Sequence, residues 1–353
     1  MKKILYITNI EVPYRVKFFN ELAKYCDLTV LYERSKSSNR DGSWSSSEKI
    51  NYKALYLDGI KIKNENSFSL KILKFILKKY DDVIIGCYNS PIQMFAIMIM
   101  NMLKKPYILN IDGEIFINKD TFKNKIKKYF LSGAKKYLVA GEKAAKSLEK
   151  IISNKDDIIV YYFSSLTDEE IKNHAISIVD KIKSNEILVI GQYFNYKGMD
   201  IALKVAKLNK NIRYKFVGMG KRTALFEKIE DVSNLNNVIC IPFLSKEKLE
   251  EEYKKCKMLL LPTRQECWGL VINEAASFGV PIVSTWGSGA AVEFLSDKYS
   301  QYLAQPNDVD DLYKCVERLL SNDDQDYREY LLEKSKSYSI EVSVKKHIEC
   351  LNL

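Results

Sequence analysis

The sequence predicts an α/β protein made of two tandem, doubly wound, Rossmann-like domains that face a cleft. Short apolar runs alternate with longer helical patterns, which is typical of parallel strands covered by helices on both faces. The alternation breaks near residues 161–173 and then restarts. A chain of 353 residues also exceeds what one hydrophobic core usually covers. Ligands of open parallel sheets bind at the carboxyl ends of the strands, so two facing sheets predict two substrates brought together.

The first domain is predicted over residues 1–165. Its strands are the runs KILYITNI, CDLTVLYE, DVIIGCY, PYILNID and KKYLVAG. Apolar residues at helical spacing predict helices over 16–25, 70–79, 91–103 and 122–131. The most apolar of these, 91–103, is shorter than the roughly 20 residues that span a bilayer, so we expect a core helix. The serine-rich stretch 35–49 is expected to form a surface loop.

The second domain is predicted over residues 166–325. Its strands are the runs EILVIGQY, IRYKFVG, NNVICIPF and KMLLLPT. Helical spacing predicts helices over 199–208, 246–256 and 270–278. Residues 326–353 are expected to form a helical segment that crosses back and packs on the first domain.

The positive charge of the chain is concentrated in its first half. Residues 1–165 hold 29 lysine and arginine residues against 17 acidic residues, whereas the remainder holds 26 against 28. This asymmetry indicates an anionic partner for the first domain, and nucleic acid, an acidic membrane surface and a phosphorylated substrate all remain open on charge alone.

The cysteines and the start of the chain indicate a reducing cytoplasm. The seven cysteines are odd in number and form no CxxC pair, which argues against a disulfide framework or a structural zinc site. The opening run MKKILYITNI has no small-residue cleavage site and is typical of a buried first strand, so no signal peptide is expected.

The stretch ECWGLVINEAASFGVPIVS, residues 266–284, has the pattern of a loop and a helix that follow a buried strand. Glu266 precedes the turn at Trp268–Gly269, and Glu274 lies among apolar neighbours on the helix. The unpaired amides at a helix start can receive a phosphate or a sugar hydroxyl. A buried carboxylate such as Glu274 needs hydrogen-bond donors, which ligand hydroxyls would supply. The alternative is a solvated glutamate on a helix surface.

These residues resemble the signature of family 4 glycosyltransferases, which have the GT-B fold and retain anomeric configuration. The resemblance implies that Glu274 binds the ribose hydroxyls of a nucleotide and that Glu266 orients the transferred sugar. It also implies that the amides from Trp268 to Val271 contact sugar and phosphate. The matching positions are Glu266, Gly269, Glu274, Ala275, Gly279 and Pro281.

A second stretch, ILVIGQYFNYKGMDIALKVAK, is similar to the strand-end motif of the same family. Gly191, Lys197 and Gly198 match this motif, whereas Gln192 stands where arginine is usual. The resemblance implies that Lys197 reaches the donor diphosphate and offsets the charge that builds there as the glycosidic bond breaks. A neutral amide at 192 gives less electrostatic stabilisation. An exposed lysine beside a tight turn is the alternative for Lys197.

The first domain resembles bacterial capsular, exopolysaccharide or O-antigen assembly members of the family over residues 9–33. Tyr14 and Arg15 follow the first strand and are expected to face the cleft, where Arg15 could approach the acceptor or the diphosphate. Asp112 occupies the site where many relatives carry a histidine that contacts the donor sugar. A β-turn at Asp112–Gly113 is the alternative.

The resemblance implies a full set of candidate site residues. The catalytic candidates are Glu266, Lys197 and Asp112, and the acceptor candidates are Tyr14 and Arg15. No metal site is expected, because the strings Asp308–Asp310 and Asp324–Asp326 have the pattern of solvated or helix-start acids. The two histidines, His174 and His347, lack metal-ligand spacing and are not expected to be catalytic. The donor-binding candidates are Gly191, Gln192, Lys197, Gly198, Phe243, Glu266, Trp268, Gly269, Leu270, Val271 and Glu274.

Residues 119–136 combine seven lysines with aromatic and apolar residues at helical spacing. We favour an ordinary amphipathic helix whose apolar side lies in the core. The alternative is a helix that lies on an anionic membrane surface. Nucleic-acid binding is not expected, because no nucleic-acid-binding module is recognisable.

The resemblance therefore implies a retaining hexosyltransferase of cell-surface polysaccharide biosynthesis. It would move a hexose or N-acetylhexosamine from a nucleotide diphosphate sugar, with a UDP-sugar favoured, to a saccharide linked to a lipid diphosphate. Neither a metal nor a cofactor is expected, and the protein is expected in the cytoplasm, peripherally bound to the inner face of the cytoplasmic membrane. Two alternatives remain open, namely a non-catalytic nucleotide-sugar-binding subunit of a polysaccharide assembly complex and a GT-B-fold nucleotide-sugar epimerase.

Overall fold

Both predicted parallel sheets are present in the computed structural model. It describes residues 1–35, 49–63, 66–116, 121–176, 185–322 and 325–353. Most of the predicted serine-rich loop, residues 119–120 of the lysine-rich segment and Asp324 lie outside the described residues. The chain divides into two compact units, Met1–Ser165 with Ile340–Leu353, and Leu166–Ser339.

The first unit contains a seven-stranded sheet with the order β3-β2-β1-β6-β7-β8-β9, in which every pairing is parallel. A two-stranded antiparallel hairpin of β4 and β5 is inserted after β3. The strands are β1 (Lys3–Ile10), β2 (Asp27–Arg34), β3 (Lys53–Tyr56), β4 (Ile60–Lys63), β5 (Asn66–Phe68), β6 (Asp82–Ile85), β7 (Ile108–Ile111), β8 (Lys136–Ala140) and β9 (Ile158–Tyr161). The helices are α1 (Pro13–Leu22), α2 (Ile72–Ile76), α3 (Pro91–Met102), α4 (Phe122–Leu131) and α5 (Glu142–Leu148).

Strand β1 explains why this sheet is covered on both faces. Successive side chains of a strand point to opposite faces. Accordingly Ile4 and Tyr6 belong to one buried apolar cluster, whereas Leu5 and Ile7 belong to another. A strand that is apolar on both sides is stable only between two layers of helices.

The second unit contains a six-stranded parallel sheet with the order β12-β11-β10-β13-β14-β15. Counted within the unit, this is the 3-2-1-4-5-6 order of the Rossmann fold. The strands are β10 (Glu186–Ile190), β11 (Arg213–Val217), β12 (Val238–Ile241), β13 (Met258–Leu260), β14 (Ile282–Thr285) and β15 (Leu303–Ala304). The helices are α6 (Asp168–Ile176), α7 (Met199–Leu208), α8 (Thr223–Ile229), α9 (Lys246–Lys255), α10 (Leu270–Ser277), α11 (Gly289–Leu295), α12 (Val309–Ser321) and α13 (Gln325–Ser335).

The chain returns to the first unit later than the sequence predicts. The predicted return began at residue 326, but α13 belongs to the second unit. Tyr327 of α13 is fully buried, stacks on Tyr299 and donates a hydrogen bond of 2.8 Å from its hydroxyl to the carbonyl of Ile282 in β14. Only α14 (Ile340–Leu351) belongs to the first unit, where it packs on α1 and β9.

Helix α4 contradicts the favoured interpretation of the lysine-rich segment. Its bounds match the prediction, yet Leu131 is its only buried residue, while Phe122, Ile126 and Tyr129 are exposed. The face of α4 that carries these three side chains is therefore not in the core, where, of this helix, only Leu131 and the partly buried Phe130 pack.

Helix α3 agrees with the expected core helix, because Ile92, Ala96, Ile97 and Met100 are buried. Across the described part of the chain, no helix combines the length and the apolar character that crossing a bilayer requires.

His347 anchors α14 within the first unit. Its Nδ1 lies 2.8 Å from the carbonyl of Ser343, and its ring contacts the rings of Phe18 and Tyr161 edge-on. The pKa of His347 is lowered to about 4, chiefly by burial, with the hydrogen bond to Ser343 opposing the change and the charge of Arg15 adding to it. The folded protein therefore holds this imidazole neutral.

We predict that His347 makes the folded protein less stable in mild acid. Its pKa is near 6.5 when unfolded and about 4 when folded, so the unfolded chain binds a proton first. The stability that depends on a neutral His347 is fully present above pH 6.5. It decreases by on the order of 3 kcal/mol as the pH falls towards 4. Urea unfolding of wild type and His347→Gln across this range measures it. The free energy of unfolding should fall less steeply in the variant, and parallel curves would contradict the assignment.

Candidate functional site

The strand order of the second unit places two loops side by side. Strands β10 and β13 are neighbours at the point where the strand order reverses, and such points are where open α/β sheets bind ligands. The loop after β10 carries Gly191 to Gly198, and the loop after β13 carries Pro262 to Gly269. The two motifs found in the sequence therefore meet at one edge of one sheet.

Hydrogen bonds join these two loops directly. The carbonyl of Tyr196 accepts bonds of 2.8 Å from the amide of Arg264 and from Oγ1 of Thr263. The Arg264 guanidinium also donates two bonds, of 2.8 and 2.6 Å, to the carboxylate of Asp200 at the start of α7. Burial opposes ionisation of Asp200, but these bonds prevail and lower the pKa of its carboxyl group. A bidentate arginine pair fixes orientation as well as distance.

Lys197 and Glu266 form an ion pair between the joined loops. Lys197 Nζ donates to Glu266 Oε1, and both side chains are more than four-fifths shielded from solvent. The other carboxylate oxygen, Oε2, is buried and has no hydrogen-bond partner among the described residues. Since an unpaired buried oxygen costs roughly 1–3 kcal/mol, this atom favours binding a donor group.

Gly198 is required for the turn that presents Lys197. Its φ is +70°, and a Cβ atom there would lie 2.1 Å from the carbonyl oxygen of Pro262. The absent side chain thus allows the two loops to approach each other, and a left-handed backbone is readily adopted only by glycine.

Helix α10 begins beside this ion pair. Gly269 precedes its first residue with φ +109°, and no side chain caps the helix start. An uncapped start leaves amide donors and a partial positive charge for a ligand. Leu270 and Val271 are half-buried there.

The indole of Trp268 has a packing role. It is only 4% exposed, and its Nε1 donates 2.9 Å to Oδ1 of Asn273. The side chain is therefore not available to a ligand, and the predicted donor contact at this position is limited to the backbone.

A third loop, after β14, supports the Glu266 loop and was missed in the sequence. The amide of Glu266 donates 2.9 Å to the carbonyl of Gly287, and Ser288 Oγ donates 2.8 Å to the carbonyl of Trp268. A Cβ at Gly289 would lie 2.3 Å from the carbonyl of Cys267. The string WGSG at 286–289 was the available signal, because closely spaced glycines indicate close approach of two backbones.

Tyr253 orients Glu274 and was also missed. Its hydroxyl donates 3.0 Å to Oε2 of Glu274, and its ring stacks on Phe278. Glu274 is half-buried on α10, one helical turn from the helix start, which is about 6 Å along the axis. Tyr253 is the only buried residue of α9. An aromatic residue in a highly charged helix indicates that it packs against the rest of the protein, but the sequence does not show against which residue.

Of the other donor-site candidates, Gly191 and Gln192 lie in the loop that carries Lys197, whereas Phe243 lies farther from the ion pair along the sheet. Phe243 follows β12, the edge strand, which is separated from β10 by β11. With strands about 4.8 Å apart, this is roughly 10 Å from β10. Its ring is partly exposed. Gln192 and Gly191 follow β10 directly and are both half-buried.

The first-unit candidates form a separate polar cluster. Arg15 pairs with Asp112 at 3.0 Å and also donates 3.0 Å to Oγ1 of Thr8. Asn110 Nδ2 donates to the second carboxylate oxygen of Asp112, and Tyr161 donates to it at 3.3 Å. Burial raises the pKa of Asp112, and the guanidinium of Arg15 opposes this rise. Both oxygens of Asp112 therefore have partners.

Tyr14 lines a small cavity beside this cluster, with a volume of about 20 Å³. That volume holds one water molecule. Nε2 of His347, which also lines the cavity, is buried without a hydrogen-bond partner among the described residues. The lining residues are Tyr6, Tyr14, Arg15, Phe18, Tyr161, Phe163, Ser164, Ile340, Ser343 and His347.

The remaining acids and histidines have structural roles. Asp308 caps α12 by accepting from the amide of Asp311 at 2.9 Å, and Asp326 lies in the first turn of α13, which confirms the prediction of helix-start acids. His174 stacks on Phe278. Where side chains are described, no group of three or more histidine, cysteine or acidic residues could hold a metal ion.

Fold and site together define a two-sheet α/β protein with a lysine–glutamate pair at the strand-order reversal of its second sheet. Residues 171–338, just under half of the chain, match the family model described as Glycosyl transferases group 1. The match lies within the second unit and contains every donor-site candidate. This unit thus carries the sequence pattern of group 1 glycosyltransferases.

Relatives and solved structures cover more of the chain. An uncharacterized glycosyltransferase of Methanocaldococcus jannaschii is 28% identical over 75% of this chain and 72% of its own length. The O-antigen chain mannosyltransferase C of Escherichia coli is 23% identical over 74% of this chain and 72% of its own. HepE of Anabaena, crystallised with UDP and glucose, shares the fold over 99% of both chains, with a TM-score of 0.70 and 12% identity.

We predict that Gly198→Ala destabilises the second unit. The added methyl group would meet a backbone carbonyl in a left-handed turn, so we expect a loss on the order of 2 kcal/mol or more. Gly191→Ala is the control, because its methyl group would meet the end of the Met199 side chain at 2.7 Å, the Lys197 side chain only at the ordinary contact distance of 3.7 Å, and no backbone atom as close as these. Urea unfolding measures both. Equal losses in the two variants would show that Gly198 does not hold the loops together.

Proposed function

We propose that the chain is a retaining glycosyltransferase that uses a nucleotide diphosphate sugar. The observation that carries this proposal is the Lys197–Glu266 pair at the start of α10, with one oxygen of Glu266 buried and unpaired. A cation, an uncapped helix start and an acceptor oxygen in one place match a ligand that joins a diphosphate to a polyol.

Glu266 supplies the acceptor for a hydroxyl of the transferred sugar. Its Oε1 is occupied by Lys197, whereas its buried Oε2 lacks a donor among the described residues. A ribose or hexose hydroxyl can donate to this atom and still accept from elsewhere. The ion pair keeps the carboxylate in place before the sugar arrives.

Lys197 and the start of α10 together bind the diphosphate. An ammonium group has three donors, and Glu266 accepts from only one of them. The uncapped α10 amides add dipolar attraction for an anion. Because both groups are fixed before the reaction, they stabilise charge that develops on the leaving diphosphate without reorganisation.

Glu274 binds the ribose one helical turn farther along α10. Its carboxylate is oriented by the hydroxyl of Tyr253. Two hydroxyls of a ribose can share one carboxylate, which gives affinity for a nucleotide over a free sugar phosphate.

The transfer needs no nucleophile from the chain. The bond from the anomeric carbon to the diphosphate oxygen breaks, and the acceptor oxygen bonds to that carbon on the same face. The acceptor proton passes to an oxygen of the leaving diphosphate. Positioning and electrostatic stabilisation then supply the rate enhancement, with no metal or other cofactor.

The proposed donor is a UDP-hexose or UDP-N-acetylhexosamine, and the proposed acceptor is a saccharide on a lipid diphosphate. UDP is the nucleotide named with HepE, which shares the fold. The Escherichia coli relative acts on O-antigen chains, which supports a role in cell-surface polysaccharide synthesis. A lipid-linked acceptor implies that the protein works at the cytoplasmic face of a membrane.

A thermal-shift panel of UDP-, GDP- and ADP-sugars tests donor binding and selects the base, since a ligand that binds the folded state raises the melting temperature. One nucleotide class should stabilise the protein, with UDP-sugars expected. Stabilisation without hydrolysis or transfer in membrane extracts would favour the non-catalytic subunit instead. A change of the donor sugar into its epimer without transfer would favour an epimerase.

We predict that Lys197→Ala and Glu266→Gln each reduce transfer by about 100-fold or more, because each removes charge from the reacting centre. Donor turnover and donor-induced thermal shifts measure the loss. Lys215→Ala is the matched control, since Lys215 is equally shielded and ion-paired but contacts Glu186 and Glu252. Wild-type turnover in Lys197→Ala would overturn the site assignment.

We predict that Tyr253→Phe weakens donor binding without changing the fold. The variant removes one hydrogen bond to Glu274, which corresponds to about a fivefold increase in the donor KM. Turnover at saturating donor should change little. Tyr214→Phe, which removes another buried hydroxyl of the second unit, serves as the control. An unchanged donor KM in Tyr253→Phe would show that Glu274 does not depend on this bond.

A further inference from the structure

Helix α4 bears a row of large apolar side chains on its outer surface. Phe122, Ile126 and Tyr129 are 79%, 39% and 49% exposed. They are spaced four and three residues apart, so they lie on one face of the helix. We call these three residues the α4 stripe. Phe116, also exposed, is not part of the stripe, because its carbonyl accepts 3.2 Å from Lys127, which lies about 140° around α4 from Phe122.

The α4 stripe points directly away from the core of the first unit. At about 100° per residue, Leu131 lies about 180° around the helix from Phe122. Leu131 is fully buried, and Phe130 on the adjoining face is half-buried against the core. The unit thus already packs its inner α4 face, and the stripe is a second apolar face that the core does not use.

Lysines flank the α4 stripe on both sides. Lys123 lies on one side and Lys125 and Lys128 on the other, and all three are exposed. Lys123 stands in the first turn of α4, where the partial positive charge of the helix start repels it and no acidic residue compensates. An anionic surface would offset this repulsion as well as attract the lysines.

The combination distinguishes a lipid surface from other partners. Protein interfaces are depleted of lysine relative to the rest of the protein surface, whereas lysines border this apolar row on both sides. A nucleic-acid duplex would engage the lysines through its phosphates but leave the aromatic row in water. A bilayer interface accepts both, because apolar side chains enter the boundary of the acyl chains while lysines meet the headgroups.

We propose that α4 is the membrane-docking element of the first unit, with the α4 stripe inserted into the interface of a bilayer that contains anionic lipid. The three exposed lysines each contribute about fivefold to the partition coefficient. This placement deepens the proposed function, because a lipid-linked acceptor would lie at the same membrane surface. Only that link to the acceptor rests on the proposed function. The docking itself follows from α4 and can be tested without any sugar donor.

Sedimentation of the full chain with sucrose-loaded vesicles tests this docking. We expect binding to vesicles of three parts phosphatidylcholine and one part phosphatidylglycerol, with weaker binding to phosphatidylcholine alone and at high salt. The variant Phe122→Ser/Ile126→Ser/Tyr129→Ser should bind at least tenfold more weakly to the anionic vesicles. Lys123→Gln/Lys125→Gln/Lys128→Gln should lose the preference for phosphatidylglycerol.

The second unit offers a matched control for apolar surface. Leu208, Leu225 and Ile229 are 54%, 47% and 60% exposed. Leu208→Ser/Leu225→Ser/Ile229→Ser should therefore sediment as the wild type does. Each variant is also unfolded by urea and titrated with the UDP-sugar. If neither the wild type nor any variant binds the UDP-sugar, that result counts against the proposed function. The vesicle result would still stand, because it does not depend on donor binding.

Three results would overturn the docking assignment. The first is absence of wild-type binding to the anionic vesicles. The second is equal binding by the stripe variant and the wild type. The third is a wild-type dimer in solution that the stripe variant converts to a monomer, which would show that a second copy of the chain covers the α4 stripe.

Discussion

The candidate site depends on the contact between the loop after β10 and the loop after β13. Gly198 lets the two backbones touch, and the carbonyl of Tyr196 then binds Thr263 and Arg264 of the other loop. These bonds hold Lys197 against the carboxylate of Glu266, whose loop follows a strand that is distant in sequence but adjacent in the sheet. A shift of either loop would separate the cation from the acid, so the chemistry of the site is a consequence of backbone packing.

The elements of both sheets could be predicted because their signals are periodic. Buried parallel strands are short apolar runs, and α4 and α7 have the bounds that their spacing predicts. Whether the apolar face of a helix points towards the core or towards solvent could not be predicted in the same way. Periodicity shows that α4 has an apolar stripe, yet whether a stripe meets the core depends on what packs beside it. The prediction that the chain returns to the first unit at residue 326 was wrong for a related reason. Tyr327 binds Ile282 of β14, and no local pattern reveals that partner.

The charged residues of the candidate site could be selected from the sequence, whereas the residues that hold them could not. Glu266, Glu274 and Lys197 stand in recognisable motifs, and the structure pairs Glu266 with Lys197 as neighbours at one sheet edge. The supports act through backbone carbonyls or through single hydrogen bonds over long sequence separations, as Tyr253 and Ser288 do. Such contacts have no spacing rule, so only the folded chain reveals them.

The two units carry ion pairs of different character at corresponding edges of their sheets. In the first unit, both oxygens of Asp112 are occupied by Arg15 and by neutral donors, so the pair is complete without a ligand. In the second unit, Glu266 keeps one buried oxygen without a partner. Because an unpaired buried oxygen costs free energy that a ligand donor can recover, the requirement for a ligand lies with Glu266. A substrate that meets Asp112 encounters a carboxylate already held in place, which favours a positioning contact there over proton transfer.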